Sequence, residues 1–323
     1  MQNEIFRSGF SKQLSEFLNF KREFGHPYKN GAYYLMDFDR FCSDKYPNAE
    51  ILNSDIAMEW SCIRQVENSN GFISRITPLR QFGKYLVQKG INAFILPDGL
   101  HGNSMPKIPY VFSDASLQQF FTVVDHMSPY YQSAVRHLVA PVMFRYMYCC
   151  GLRPREARCL HKEDVNLKTG RIFIRESKGH KERFIIIPQE LIRLTVIYLK
   201  EISLFFPEST ALFIDRKGRF MTYDTQKYLF SHCRELADIK AAGSKEVNLY
   251  SFRHTFATFR IYKWIKEGKD IDTLLPCLSS YMGHEKIENT LYYLHLVPEA
   301  FTNMTGINLK QFNYLIPEVS LDD

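Results

Sequence analysis

Four short stretches in the second half of the chain carry groups able to bind an anion, move a proton or attack an electrophile. In "GLRPREARCL", Arg153 stands at a corner: Gly151 ends one helix and Pro154 suits the first turn of the next. Glu156, three residues on, is close enough to brace the guanidinium. In "SKGHKER", Lys178 falls at the tip of a hairpin, where a side chain can reach a ligand laid across it, and Lys181 and Arg183 lie close by. In "LYSFRHTFAT", Arg253 borders an apolar stripe begun by Phe252 and Phe256, with Tyr250 three residues before it and His254 after it. A charge at the margin of a core face is usually paired or functional. In "YMGHEKIENTLYYLHL", Gly283 terminates a helix, His284 opens the next segment, and Tyr292 and Tyr293 follow, the second nine residues after His284. Singly, each residue also has an ordinary reading: a surface arginine, a solvated turn lysine, an ion-paired arginine, a satisfied structural histidine at 254, packing tyrosines.

The elements that must hold these groups are legible from periodicity. Residues up to about Phe94 read as helical, with Asn53 and Ser54 as plausible N-caps. "GFISRITPLRQFGKYLVQKG" sets Ile73, Ile76, Leu79, Phe82 and Leu86 on one face and ends at Gly90. Pro78 inside it is expected to kink or restart the helix. Arg75, Arg80 and Lys84 are read as lying largely off that stripe, on a face that is either solvated or turned to DNA. Prolines and glycines crowd residues 97–110 and place a boundary there, giving a first domain over 1–103 and a second over 104–323. The second begins helical, with Ser113 or Asp114 as its first cap. It then changes to the short β-like runs "RIFIRES" and "RFIIIP", which read as a hairpin, and returns to helices after Pro188. The fold class is therefore mainly α with a small antiparallel β-sheet.

Composition narrows the function classes. At 323 residues and 45% hydrophobic content the chain can form two domains with real cores. A net charge of +6 favours a polyanionic partner. The seven cysteines form no CxxC pair, so neither a metal site nor a disulfide framework is expected, and the thiols read as reduced and buried. No apolar run reaches signal-peptide or membrane-span length, so the expected compartment is the cytoplasm.

The order Arg, hairpin Lys, Arg opening a helix, Gly-His, then Tyr nine residues on resembles the tyrosine recombinase (phage integrase) family. The pieces that carry the resemblance, "GLRPREA", "SKGHKER", "FRHTFAT" and "GHEKIENTLYYLHL", span residues 151 to 296. "LLPCLSSYMGH" is similar to the transposon and mobile-element branch. The resemblance implies a helical core-binding domain and an α/β catalytic domain that clamp duplex DNA at a specific recombination site. Self-assembly would give a tetramer on DNA, and a dimer or monomer off it. It implies strand cleavage through a 3′-phosphotyrosine, without metal ion or ATP. Arg153 and Arg253 would clamp the non-bridging phosphate oxygens. Lys178 would protonate the leaving 5′-oxygen, His284 would donate to the phosphate, Tyr293 would be the nucleophile, and Glu156 would position Arg153. Lys181, Arg183, Arg75, Arg80 and Lys84 are the candidate DNA-binding cations.

One position departs from the family pattern. Tyr250 stands where relatives carry the His of His-x-x-Arg, and a phenol with a reference pKa of about 10 is a poorer base near neutral pH. The expectation is that Tyr250 keeps a hydrogen bond to the phosphate while the base role is shared or weakened. Tyr292 and Tyr293 point about 100° apart on a helix, so only one can face the phosphate. Two other functions remain open on the same residues: a DNA-binding regulator of this fold, or a type IB topoisomerase. The apolar tail of Phe312, Tyr314, Leu315 and Ile316 suits either docking on a neighbouring protomer or packing on its own domain.

Overall fold

The computed structural model describes residues 5–25, 28–65, 67–100, 108–130, 133–175, 182–240 and 246–300, the side chains of 298–300 excepted. Lys178, Lys181 and the apolar tail lie outside the described residues. Among the described residues the architecture is mainly helical with one small antiparallel sheet, as the sequence leads one to expect. The chain divides into two compact units, Met1–Pro106 and Lys107–Asp323.

The first unit is built from α1 (Ser11–Glu23), α2 (Lys29–Lys45), α3 (Ser54–Trp60) and α4 (Ser69–Gln88). Asn53 caps α3, its side chain accepting from the Ile56 amide. Phe17, Phe38, Trp60 and Phe82 are among the rings that fill the core. Pro78 does not restart α4, which continues unbroken to Gln88. Two expected DNA-facing cations are used inside this unit instead. Arg75 is 1% exposed. It forms a bidentate pair with Glu67 and donates to the Trp60 and Cys62 carbonyls. The physical reason lies in the spacing: Phe72, Arg75, Leu79 and Phe82 recur at three and four residues, so Arg75 is on the apolar face. Arg80 donates to the Leu96 and Pro97 carbonyls and pairs with Asp98 at 3.2 Å. Lys84 is exposed.

The second unit contains α5 (Asp114–Asp125), α6 (Arg136–Cys150), α7 (Pro154–Arg158), a 3-10 turn at Lys162–Asp164, and strands β1 (Val165–Asn166), β2 (Arg171–Ile174) and β3 (Arg183–Ile186). It continues with α8 (Gln189–Phe205), α9 (Tyr223–Leu236), α10 (Tyr250–Lys266), α11 (Ile271–Met282) and α12 (Glu288–Ala300). Ser113 caps α5. The strands form an antiparallel meander in the order β1-β2-β3, with Ile172 opposite Ile185 and Phe173 opposite Phe184. Ile172, Ile174 and Ile185 turn into the core. α6 is buried along most of its length, and α10 packs on it. Phe252 on α10 is ringed by Phe112, Phe120, Phe144 and Phe230, at centroid distances of 5.1 to 5.8 Å. Thr255 accepts the Phe112 amide at 2.9 Å and fixes α10 further. All seven cysteines are free thiols, but only Cys42, Cys150 and Cys233 are buried, whereas burial of all was expected.

Candidate active site

α11 supplies the base of the site. It ends at Gly283 in the left-handed region, φ 66°, and leaves its last carbonyls without partners inside the helix. Three successive carbonyls each receive one guanidinium. Tyr281 accepts from Arg183 Nε at 2.7 Å, Met282 from Arg253 Nη2 at 2.6 Å, and Gly283 from Arg153 Nη2 at 2.7 Å. The negative end of the helix dipole adds to the attraction.

Glu156 ties the same cations together from the other side. Its carboxylate accepts from the Arg153 amide (2.9 Å) and Arg153 Nη1 (2.8 Å), and from both terminal nitrogens of Arg183 (2.9 Å each). Arg253 Nη1 lies 4.0 Å from it. Burial alone would raise this carboxyl, but the hydrogen bond and charge of Arg183, the Arg153 amide and the charge of Arg253 hold it at about 2. Glu156 does brace Arg153, as the spacing suggested. Arg183 requires a correction. It was expected to bind DNA, but its side chain is 9% exposed and spent on Glu156 and Tyr281. The strand alternation carried that signal, since 183, 185 and 187 share the inward face of β3 and its continuation.

Arg253 is 3% exposed and held at both ends, with Nη1 donating to the Gly151 carbonyl at 2.7 Å. Gly151 is itself left-handed at φ 61°, and a Cβ there would meet Phe256 at 2.5 Å, so the α6–α7 corner approaches α10 as only glycine allows. Burial, helped by the charge of Arg153, lowers Arg253 to about 10, which leaves it charged at neutral pH.

His284 follows the α11 cap, and its Nδ1 lies 2.7 Å from Thr290 Oγ1. Burial and the charges of Arg253 and Arg153 push it down to about 3, so the imidazole is neutral. Its ring stacks near Tyr293, with centroids 6.2 Å apart. Tyr293 is 4% exposed; burial raises its phenol, while the charge of Arg253 and a hydrogen bond with it pull the other way. His254 Nδ1 lies 3.2 Å from the Tyr293 hydroxyl. Tyr250, at the start of α10, is 44% exposed. Arg153, Tyr250, Arg253, His254, His284 and Tyr293 all line one cleft of ≈ 1030 Å³. Tyr292 also reaches it, at 38% exposure.

The structure thus brings together residues separated by 140 positions (153 to 293), with Lys178 outside the described residues. His254 is the member that reading by residue type set aside. Its signal was positional: it lies four residues after Tyr250, on the same face of α10.

A polar cleft of this kind, with fixed guanidiniums beside a buried tyrosine, can bind a phosphate ester and set a hydroxyl against it. Residues 117–299 match the model of the phage integrase family. The chain belongs to the phage integrase family. Its relatives include a Sinorhizobium fredii protein, y4rB, named as an integrase/recombinase, which is 25% identical over 298 residues, covering 90% of this chain and 94% of that protein. Tyrosine recombinase XerC of Bacillus pumilus is 22% identical over 306 residues, covering 91% and 86%. The fold is shared with the XerH site-specific recombinase bound to palindromic difH substrate, at TM-score 0.65 and 19% identity over 85% of this chain and 77% of that one. It is shared also with the Tn1549 transposon integrase in complex with transposon right end DNA, at TM-score 0.62 and 16% identity over 87% and 93%. Family and relatives together make this phage integrase family member a site-specific recombinase of the tyrosine class. Among the described residues, no helix is long and apolar enough to cross a membrane.

Proposed function

We propose that this recombinase cuts and rejoins double-stranded DNA at a specific site through a 3′-phosphotyrosine on Tyr293, as the integrase or transposase of a mobile element. The observation that carries the reading is the Tyr293 hydroxyl, buried against Arg253 and His254 in the cleft that Arg153 and His284 also line. Arg153 and Arg253 clamp the non-bridging oxygens from guanidiniums already oriented, Arg253 by the Gly151 and Met282 carbonyls and Arg153 by Glu156 and the Gly283 carbonyl. His284 donates to the phosphate. Tyr250, exposed at the cleft, adds a hydrogen bond to it. Lys178 protonates the leaving 5′-oxygen. It lies in sequence between β2 and β3, and the first residue of β3 is tied to Glu156. The first unit contributes further DNA contacts, with Lys84 better exposed for it than Arg75 or Arg80. The recombinases of similar fold that were solved on DNA support the choice of partner. A tetramer on DNA, assembled from dimers or monomers, and work in the cytoplasm complete the reading.

A nicked suicide duplex tests it, because the cleaved end diffuses away and the covalent adduct accumulates. Tyr293→Phe abolishes the adduct and Tyr292→Phe leaves it. The reverse result reassigns the nucleophile, and no adduct from any version of the chain removes the cleavage chemistry.

A further inference from the structure

His254 sits one turn beyond Tyr250 on α10, so the two side chains share a helix face, with ring centroids 6.5 Å apart. α10 packs against α12, and that packing sets His254 Nδ1 3.2 Å from the Tyr293 hydroxyl, within reach of a proton transfer. The imidazole is half-buried and opens on the cleft lined by Arg153 and Arg253. Among the described groups around the phenol it is the one with an acceptor nitrogen at hydrogen-bond distance; the guanidiniums can only donate.

We propose that His254 is the base that takes the Tyr293 proton during strand cleavage. The proposal rests on the recombinase reading with Tyr293 as nucleophile. In the step, the phenolic O–H gives its proton to His254 Nδ1 as the oxygen bonds to phosphorus. The bond from phosphorus to the 5′-oxygen breaks, and Lys178 protonates that oxygen. The products are a 3′-phosphotyrosine, a free 5′-hydroxyl, an imidazolium and a neutral lysine; rejoining reverses each transfer. To accept, Nδ1 must be bare, so the neutral ring carries its hydrogen on Nε2. Burial and Arg253 hold His254 near 4, which keeps the ring unprotonated before DNA binds. A phosphodiester anion between the guanidiniums offsets the positive charge the ring feels, so the imidazolium becomes easier to form as the phosphate arrives.

Two measurements on the full chain test this. Nitrogen-15 NMR of labelled histidines, with His254→Ala for assignment, reads the tautomer. The expected result is a bare Nδ1 whose resonance moves in Tyr293→Phe; a proton on Nδ1 overturns the proposal. Adduct formation is then timed on a nicked suicide duplex carrying the DNA that flanks the coding region. His254→Ala slows it by about 10²-fold or more, and imidazole in the buffer restores part of the rate. Replacing the 5′-oxygen by sulfur, which leaves without a proton, rescues Lys178→Ala but not His254→Ala. Wild-type speed in His254→Ala, or its rescue by sulfur, overturns the assignment. A wild type that forms no adduct on this duplex counts against the recombinase reading there, and the tautomer then decides the His254 contact alone.

Discussion

Glu156 is the residue on which the cations of the cleft depend, because a buried guanidinium is costly without a nearby anion. Its carboxyl is held at about 2 against an ordinary value of 4.5. A depressed folded-state value means that the unfolded chain binds the proton more readily. The stabilisation is therefore complete above about pH 4.5 and is lost as pH falls toward 2. The full span is worth about 3 kcal/mol. Glu156→Gln should be less stable at neutral pH by about 3 kcal/mol, since it leaves Arg183 buried without its anion. It should also lack this share of the acid-induced loss. Thermal unfolding of both proteins from pH 3 to 6 checks the claim, and parallel pH profiles would refute it. The brace from Glu156 to Arg153 was legible in the i, i+3 spacing of "GLRPREA". The grip on Arg183 was not, because it joins a helix start to a strand 27 residues away. Local spacing reports neighbours on one element, and this contact exists only once β3 is packed.

At the level of elements, the end of α11 does the positioning. Its three carbonyls fix three guanidiniums, and they can do so only because the chain leaves the helix through Gly283 at φ 66°. A Cβ at 283 would lie 3.0 Å from Arg183 Nη1, whereas one at Gly268, also at φ 66°, would meet nothing within 4 Å. Both Gly283→Ala and Gly268→Ala should lose roughly 1–2 kcal/mol to the left-handed backbone. Only Gly283→Ala should also slow adduct formation, by displacing Arg183 and the carbonyl that holds Arg153. Equal cleavage rates in the two variants, measured alongside their unfolding temperatures, would show that the α11 terminus plays no part in aiming the cations. Sequence made the helix stop visible, since a glycine after an apolar run is a common terminus. That the freed carbonyls face Arg153 just before α7, Arg183 on β3 and Arg253 on α10 follows from tertiary packing and has no counterpart in the local pattern. The Phe252 anchor was half legible: the stripe on α10 is plain, but its partners Phe112, Phe120, Phe144 and Phe230 come from three other regions of the unit.

For the molecule as a whole, a formal charge of +6 understates how unevenly the cations are available to a polyanion. Arg75 and Arg183 are enclosed in ion pairs with Glu67 and Glu156, and Arg80 is spent on two carbonyls and Asp98. Each cation that neutralises a DNA phosphate releases counterions and steepens the dependence of log affinity on log salt by about 0.9. Buried pairs cannot contribute, because their cations do not reach a phosphate and so displace none of the DNA's counterions. Lys84→Ala should therefore flatten the salt dependence by about 0.9 if that exposed lysine meets a phosphate. The double variant Arg75→Met, Glu67→Gln removes the buried pair as a unit and should leave the slope unchanged. Fluorescence anisotropy on a labelled duplex between 50 and 300 mM salt, on the order of the range where such slopes are resolved, distinguishes the two. A flatter slope from the Arg75 variant would mean that the arginine leaves its pocket when DNA binds. The first unit would then respond to DNA by opening its own core, in place of presenting a surface already charged for it.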